Sequence, residues 1–279
     1  MSDPRAQSSD VVVPFLFENI PVRGALIQLQ HSWGRMQLGH AYRKPVSEIL
    51  GQAAAATGLI AQSLKFDGTI TLQVSGDGPL AMLVMQSTDD LEMRGMANAT
   101  VANDEISYAD LVHGSRCAIT VDAGAGERPY QGIVEMAGDS LSESLQNYFT
   151  RSVQVASHLV LVSDRSICGG ILLQQMPDKH EPLTDDWRRL GFLAETIRCA
   201  DVLDGIGTML VGKLFSEDDV RVFQARPTVF RCRCSRRRAE QVLRLLGEAD
   251  ARAACEEQGV VDVTCEYCGE VRSFDAVDI

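Results

Sequence analysis

Two tight pairs of cysteines near the C-terminal end constrain this chain more than anything else in it. Cys232 and Cys234 stand in RCRCS, and Cys265 and Cys268 stand in CEYCG after a spacer of residues 235–264. Brought together, they supply four soft thiolate ligands, the set that favours tetrahedral zinc. Gly269 directly follows the second pair, as in a knuckle whose backbone turns its amides toward sulfur. Four thiolates fill the coordination sphere and leave no position for water or substrate, which argues against hydrolytic zinc. A region of about fifty residues has little core of its own, so Pro227 to Ile279 should need the metal to hold its fold.

The spacing also bears on reactivity. A disulfide across one intervening residue closes a small, strained ring that is easily reduced again, which tilts the C-x-C pair toward a switch. Arg231, Arg233, Arg236, Arg237 and Arg238 flank that pair and are expected to stabilise thiolate. Oxidation would remove ligands, release the metal and cancel the binding free energy that folds the region. Residue chemistry alone leaves a structural ribbon and a thiol switch both open.

The rest of the composition narrows the setting. With 45% hydrophobic and 23% charged residues, the chain is of the globular class. A net charge of -12 repels phosphate backbones, so neither nucleic acid nor membrane is expected as a partner. Nowhere do enough apolar residues run together to span a bilayer. The start, MSDPRAQSSD, lacks the apolar run of a signal peptide. The expected location is the cytoplasm, where clustered thiols bind metal or do redox work.

The pattern along the chain predicts an α+β fold. FLFENIPVRGALIQL has the alternation of a strand, and Pro45 opens a helix in which Ile49, Ala53, Ala56 and Ile60 share a face. TITLQVSGDGPLAMLVMQ reads as a hairpin about Gly76–Pro79, and LEMRGMANATV, RCAITVD, YQGIVEM, SHLVLVS and CGGILLQQM as further strands. Ser140 caps a helix through LSESLQNYFTRS. The expected division is an N-terminal core at 1–178 with mostly antiparallel sheet and packed helices, a helical linker at 179–226, and a small zinc domain at 227–279. In the linker, Trp187, Leu190, Ala194 and Ile197 form one apolar stripe, and Leu203, Ile206, Leu210 and Leu214 another. Helices this short must lie against another element.

Other residues carry less. Cys117, Cys168 and Cys199 lie in apolar or mixed runs and read as packed thiols. Cys255, in AACEEQG, is open between a packing role and a competing ligand. His31, His40, His113, His158 and His180 are scattered and suggest no ligand set or catalytic pair, and nothing near the serine of SESL forms a nucleophile-base arrangement. GDGP and GAGE lack the lysine context of a phosphate loop. No catalytic residue is expected. The rivals are a zinc ribbon that recognises nucleic acid or protein, and a thiol oxidoreductase using Cys265 and Cys268 without a thioredoxin-like setting.

The motif C-x-C, long spacer, C-x-x-C, preceded by VRVFQARPTVFRCRCSRRR, resembles the heat shock protein 33 family of redox-regulated chaperones. FDGTITLQVSGDGPLAMLV, EMRGMA, LSESLQNYFTRSVQ and GGILLQQMP look like family segments in family order, and the likeness runs from about Val11 onward. The resemblance implies that Cys232, Cys234, Cys265 and Cys268 hold one zinc in a reduced, inactive form. It implies that oxidation joins Cys232 with Cys234 and Cys265 with Cys268, releases zinc and unfolds the zinc region and linker. The protein, a homodimer when active, would then hold unfolding clients without ATP. The client-binding candidates are Trp187, Leu190, Ile197, Leu203, Ile206, Leu210, Leu214 and Phe215.

Overall fold

The computed structural model describes residues 10–124, 128–177, 185–204, 207–247, 252–253, 256–257, 259–275 and 278. Ile206, Cys255 and His180 lie outside the described residues. In chain order the first elements are β1 (Val11–Phe17), β2 (Val22–Leu29), α1 (His31–Gln37), α2 (Lys44–Ser63), β3 (Thr69–Gly76), β4 (Leu80–Thr88) and β5 (Glu92–Ala99). They are followed by α3 (Tyr108–Leu111), β6 (Ser115–Asp122), β7 (Tyr130–Val134), α4 (Leu141–Tyr148), β8 (Ser157–Ser163) and β9 (Cys168–Gln175). The remainder is α5 (Asp185–Glu195), α6 (Cys199–Asp204), α7 (Gly207–Leu214), β10 (Val220–Val222), β11 (Arg226–Pro227), β12 (Val229–Phe230), α8 (Arg236–Leu246), β13 (Val261–Thr264) and β14 (Val271–Phe274).

The mixed α+β architecture is the expected one. One sheet has the order β10-β1-β2-β9-β8, with β11 also on β1, and the second runs β12-β5-β4-β3-β6-β7. Every pairing is antiparallel except β12 on β5. FLFENIPVRGALIQL is two strands rather than one, because the backbone turns at Glu18–Pro21 and Val22 N–H bonds Ile20 O at 2.6 Å. The Ser140 cap is present, its hydroxyl accepting from Glu143 N–H. The helix it opens ends sooner than the apolar pattern suggests: Phe149–Val153 widens to a π turn, closed by Gln154 at φ 60°.

Helix α2 lies between the sheets. Its Ala53–Ala56 run is fully buried, and small side chains let both sheets come close. Gly51 and Gly58 serve the same end: a Cβ would lie 2.0 Å from Ser163 Oγ at the first and 2.3 Å from Ile27 Cδ1 at the second. The resulting core joins Val12, Ile27, Leu29 and Leu172 of the first sheet to Ile70, Leu72, Leu83 and Met93 of the second.

The first sheet is buried on its other face as well. There Phe15, Phe17, Leu26, Ile171 and Leu173 meet Leu190, Ala194, Ile197, Val202, Leu210, Val211 and Phe215. Alternate residues of each strand thus face α2 or the helices α5 to α7. Arg189 of α5 grips Asp218, beyond α7, through two bonds of 2.9 and 2.6 Å. The chain then adds β10 and β11 to the edge of β1, with Phe223 N–H bonding Pro14 O at 2.9 Å, and crosses to β12 on the second sheet. The position chosen from composition for a boundary, between residues 226 and 227, falls within β11. Beyond β12, the small unit of α8 and the β13–β14 hairpin has a core of Ala239, Leu243 and Phe274, flanked by Val261 and Val263.

Candidate metal centre

The two cysteine pairs enter from opposite sides. Cys232 and Cys234 follow β12, and the next residue, Ser235, caps α8 by accepting from Arg238 N–H at 3.3 Å. That puts the positive end of the helix dipole beside the first pair. Cys265 and Cys268 sit in the turn between β13 and β14. Gly269 adopts φ 68° and donates to Cys265 O at 2.8 Å, while Cys265 N–H bonds Glu270 O at 2.9 Å. This is the expected knuckle, and it aims both sulfurs at the first pair.

The four Sγ atoms all lie within 4.8 Å of one another. Cys232 and Cys265 are 3.6 Å apart, as are Cys234 and Cys268. A tetrahedron of sulfurs about 2.3 Å from a central zinc has edges of about 3.8 Å, so the donor set fits zinc in both chemistry and spacing. Among the described residues this is the one group of metal-ligating side chains so gathered.

The thiols differ in acidity. Burial opposes the thiolate of Cys265, but hydrogen bonds from the backbone N–H groups of Tyr267 and Cys268, and from neighbouring thiols, outweigh it and lower the pKa. Burial, with further thiols at hand, raises Cys268 to about 11. Burial also raises Cys234, helped by its bonds to Cys232, Cys268 and Glu270.

The flanking arginines are arranged otherwise than their sequence positions imply. Arg231 pairs with Glu92 at 2.8 Å. Arg236 pairs with Asp278 at 2.7 Å and covers the Phe274 ring. Arg238 donates to Arg233 O at 2.6 Å. Of the five, only Arg238 borders the cleft of about 230 Å³ beside the thiols. Arg272 of β14, four positions after Cys268, borders it too, as does Arg94 from β5, whose sequence context does not signal the cysteines.

The knuckle rests on the main body. Gly269 meets Gly39 so closely that a Cβ on either would come within 3.0 Å of the other's Cα. The Arg94 guanidinium lies 4.5 Å over the Tyr267 ring, and it is tied to Gln86 at 2.8 Å.

The apolar positions singled out in the linker divide by face. Leu190, Ile197, Leu210 and Phe215 are buried against the first sheet, and Trp187 and Leu214 pack at its margin. Leu203 is 42% exposed, and Val202 beside it takes the buried position. Phe192 and Met209 also face solvent. Cys117 and Cys168 are buried in the main body, where burial raises Cys117 to about 12 and Cys168 well above its usual value. Among the described residues no helix is long and apolar enough to cross a membrane.

A model of the Hsp33 protein family matches residues 10–275. The 33 kDa chaperonin of Methylobacillus flagellatus is 39% identical over 274 residues, spanning 98% of this chain and 94% of its own. That of Nitrosococcus oceani is 40% identical over 265 residues, spanning 95% and 91%. Among solved structures, the crystal structure of the 33 kDa chaperonin of Thermotoga maritima superposes with a TM-score of 0.77 over 96% of each chain, at 19% identity.

Proposed function

The chain belongs to the Hsp33 family, and from that premise we propose that it is a redox-regulated, ATP-independent holdase chaperone rather than an enzyme. The single observation that carries this reading is the cluster of four thiols within 4.8 Å. It closes a unit whose core, among the described residues, is Ala239, Leu243 and Phe274 with Val261 and Val263 packed against them. Such a unit depends on its metal for folding.

In the reduced form Cys232, Cys234, Cys265 and Cys268 would hold one zinc ion, which would tie the two halves of the unit together and contribute to their folding free energy. Peroxide takes two electrons from each near pair and is itself reduced to water. Cys232 then joins Cys234, and Cys265 joins Cys268. The zinc domain, placed at 227–279, loses its order, and with it the knuckle's seat on Gly39 and Arg94.

The linker at 179–226 follows. Leu190, Ile197, Leu210 and Phe215, now packed on the core domain at 1–178, become available together with the apolar face they cover. Exposed surface of that kind binds other apolar chains. Unfolding client proteins are the partners we infer, in the cytoplasm, with a homodimer as the oxidised form. Trp187, Leu203, Leu214 and Ile206 complete the proposed client-binding set.

The test is one assay with two readouts. Peroxide at mildly raised temperature should release one zinc per chain and suppress light scattering by a denaturing client. Loss of zinc with no suppression of aggregation would overturn the holdase reading.

A further inference from the structure

Strand β8 forms an edge of the first sheet, and its residues alternate between two surroundings. Leu159 and Leu161 face the core built on α2 and α4, whereas Val160 and Val162 face the linker side. His158 falls on the linker side by the same alternation, opposite Leu173 of β9. Its ring is held between two parts of α5. The Trp187 ring lies against it, centroids 4.3 Å apart and planes tilted by 32°. Gly191 lies so near that a Cβ there would sit 2.5 Å from His158 Cε1 and 2.6 Å from Nε2. The backbone carbonyl of Trp187 favours the charged ring, while Nε2 is buried and, among the described residues, has no hydrogen-bond partner.

A neutral imidazole suits this seat and a charged one does not. Neutral, its unpaired nitrogen is a weak acceptor left idle. Protonated, the same nitrogen becomes a buried cationic donor beside the α5 backbone, with no hydrogen-bond partner among the described residues. We propose that His158 is an acid sensor for the linker: its protonation lifts α5 off the edge of the first sheet while the cysteine site stays closed.

Among the described residues, the charged group that faces His158 is Glu195 at the end of α5. β9 presents Leu173, and α2 and α4 pack on the opposite face of the sheet. Burial lowers the pKa of His158 from its ordinary 6.5. The Trp187 carbonyl and the charge of Glu195 act the other way and are outweighed. The sign follows: with α5 lifted, the imidazole binds a proton near pH 6.5, and with α5 seated it does so only at lower pH. Docking is therefore complete above 6.5 and weakens as pH falls below it, by at most about tenfold per pH unit for one proton. The consequence for client binding rests on the proposed function, but the release of α5 does not.

Hydrogen–deuterium exchange of the reduced, zinc-loaded protein tests it at pH 7.5 and 6.0, with intrinsic rates corrected and bound zinc measured in the same samples. Peptides of α5 should lose protection several-fold at pH 6.0 while those of β3 and β4 do not and zinc is retained. His158→Gln should make the α5 response flat. Unchanged α5 protection, or an equal response in H158Q, overturns the proposal. If H158Q does not fold, an NMR titration of the wild-type imidazole nitrogens decides: His158 titrating below 6.5 supports the proposal, and at or above 6.5 it fails. Light scattering at pH 6.0 separates the two readings, because α5 release without aggregation suppression upholds the sensor and sinks the holdase.

Discussion

Phe215 offers the sharpest probe of how the linker is held. It lies just beyond α7, 1% exposed, with its ring centroid 5.8 Å from Phe15 and 5.0 Å from Phe17. Both partners belong to β1, so the contact joins linker to core rather than linker to itself. Phe215→Ala removes the ring and leaves a void that the sheet cannot fill, at a cost of about 3–5 kcal/mol. At about 1.4 kcal/mol per tenfold, that moves the docking equilibrium by roughly a hundred- to a few thousand-fold. In the reduced, zinc-loaded protein, α5 to α7 should exchange deuterium faster by a large part of that factor, and client aggregation should be suppressed without oxidant. Peptides of α2, β3 and β4 should keep their protection. Phe192→Ala, on the exposed face, should change nothing beyond about 0.5 kcal/mol. If Phe215→Ala lowers protection in α2 and β3 as much as in the linker, the linker is not a separable unit and the reasoning fails.

Other perturbations test the remaining contacts. Cys265→Ser should lose most of the bound zinc, whereas Cys117→Ser, at a buried thiol remote from the cluster, should keep it; metal analysis of the two proteins decides. Gly212 of α7 faces open space, with nothing within 4 Å of where a Cβ would stand, so Gly212→Ala should stabilise the linker by about 0.5–1 kcal/mol and slow peroxide activation. Gly39→Ala should do the reverse, because φ is 84° and the added carbon meets Gly269 Cα at 2.9 Å. Zinc release by peroxide should be faster in that variant, and an unchanged rate would show that the knuckle's seat is irrelevant. At the β8–β9 turn, burial would raise the pKa of Asp164, but hydrogen bonds from Ser166 and Ile167 outweigh it and lower the value below 3.8. Its contribution is present above that value and lost as pH falls through the folded-state value, so Asp164→Asn should cost about 1 kcal/mol at pH 7 and less in acid, as read from urea midpoints.

What could be read from the chain alone follows physical range. The four-cysteine cluster was legible because thiolate chemistry needs identity and spacing, both of which are local. The strands β3 to β9 were legible because each holds an apolar run long enough to stand out between turn residues. The stapling strands β10, β11 and β12 were not, since two or three residues carry no period. The helix end at Tyr148 was obscured because the π turn keeps the apolar pattern going. Charge at the thiols misled for a different reason: arginine neighbours in sequence point where the helix and the acidic residues take them. Arg94 reaches the site from 138 positions before Cys232, a distance only the fold can close.

The pairing of β10 with β1 has one more consequence, for what happens when it comes apart. In a strand the N–H and C=O of one residue point the same way, and Pro14 O points at Phe223 of the departing segment. The missing N–H of Pro14 is therefore on that same outer edge. A β1 stripped of its cover offers VVVPFLF as a bare rim, apolar and long enough to seed fibrils, with one donor absent from its middle. Were that rim ever bared, proline at this position would keep it from becoming a template for endless growth.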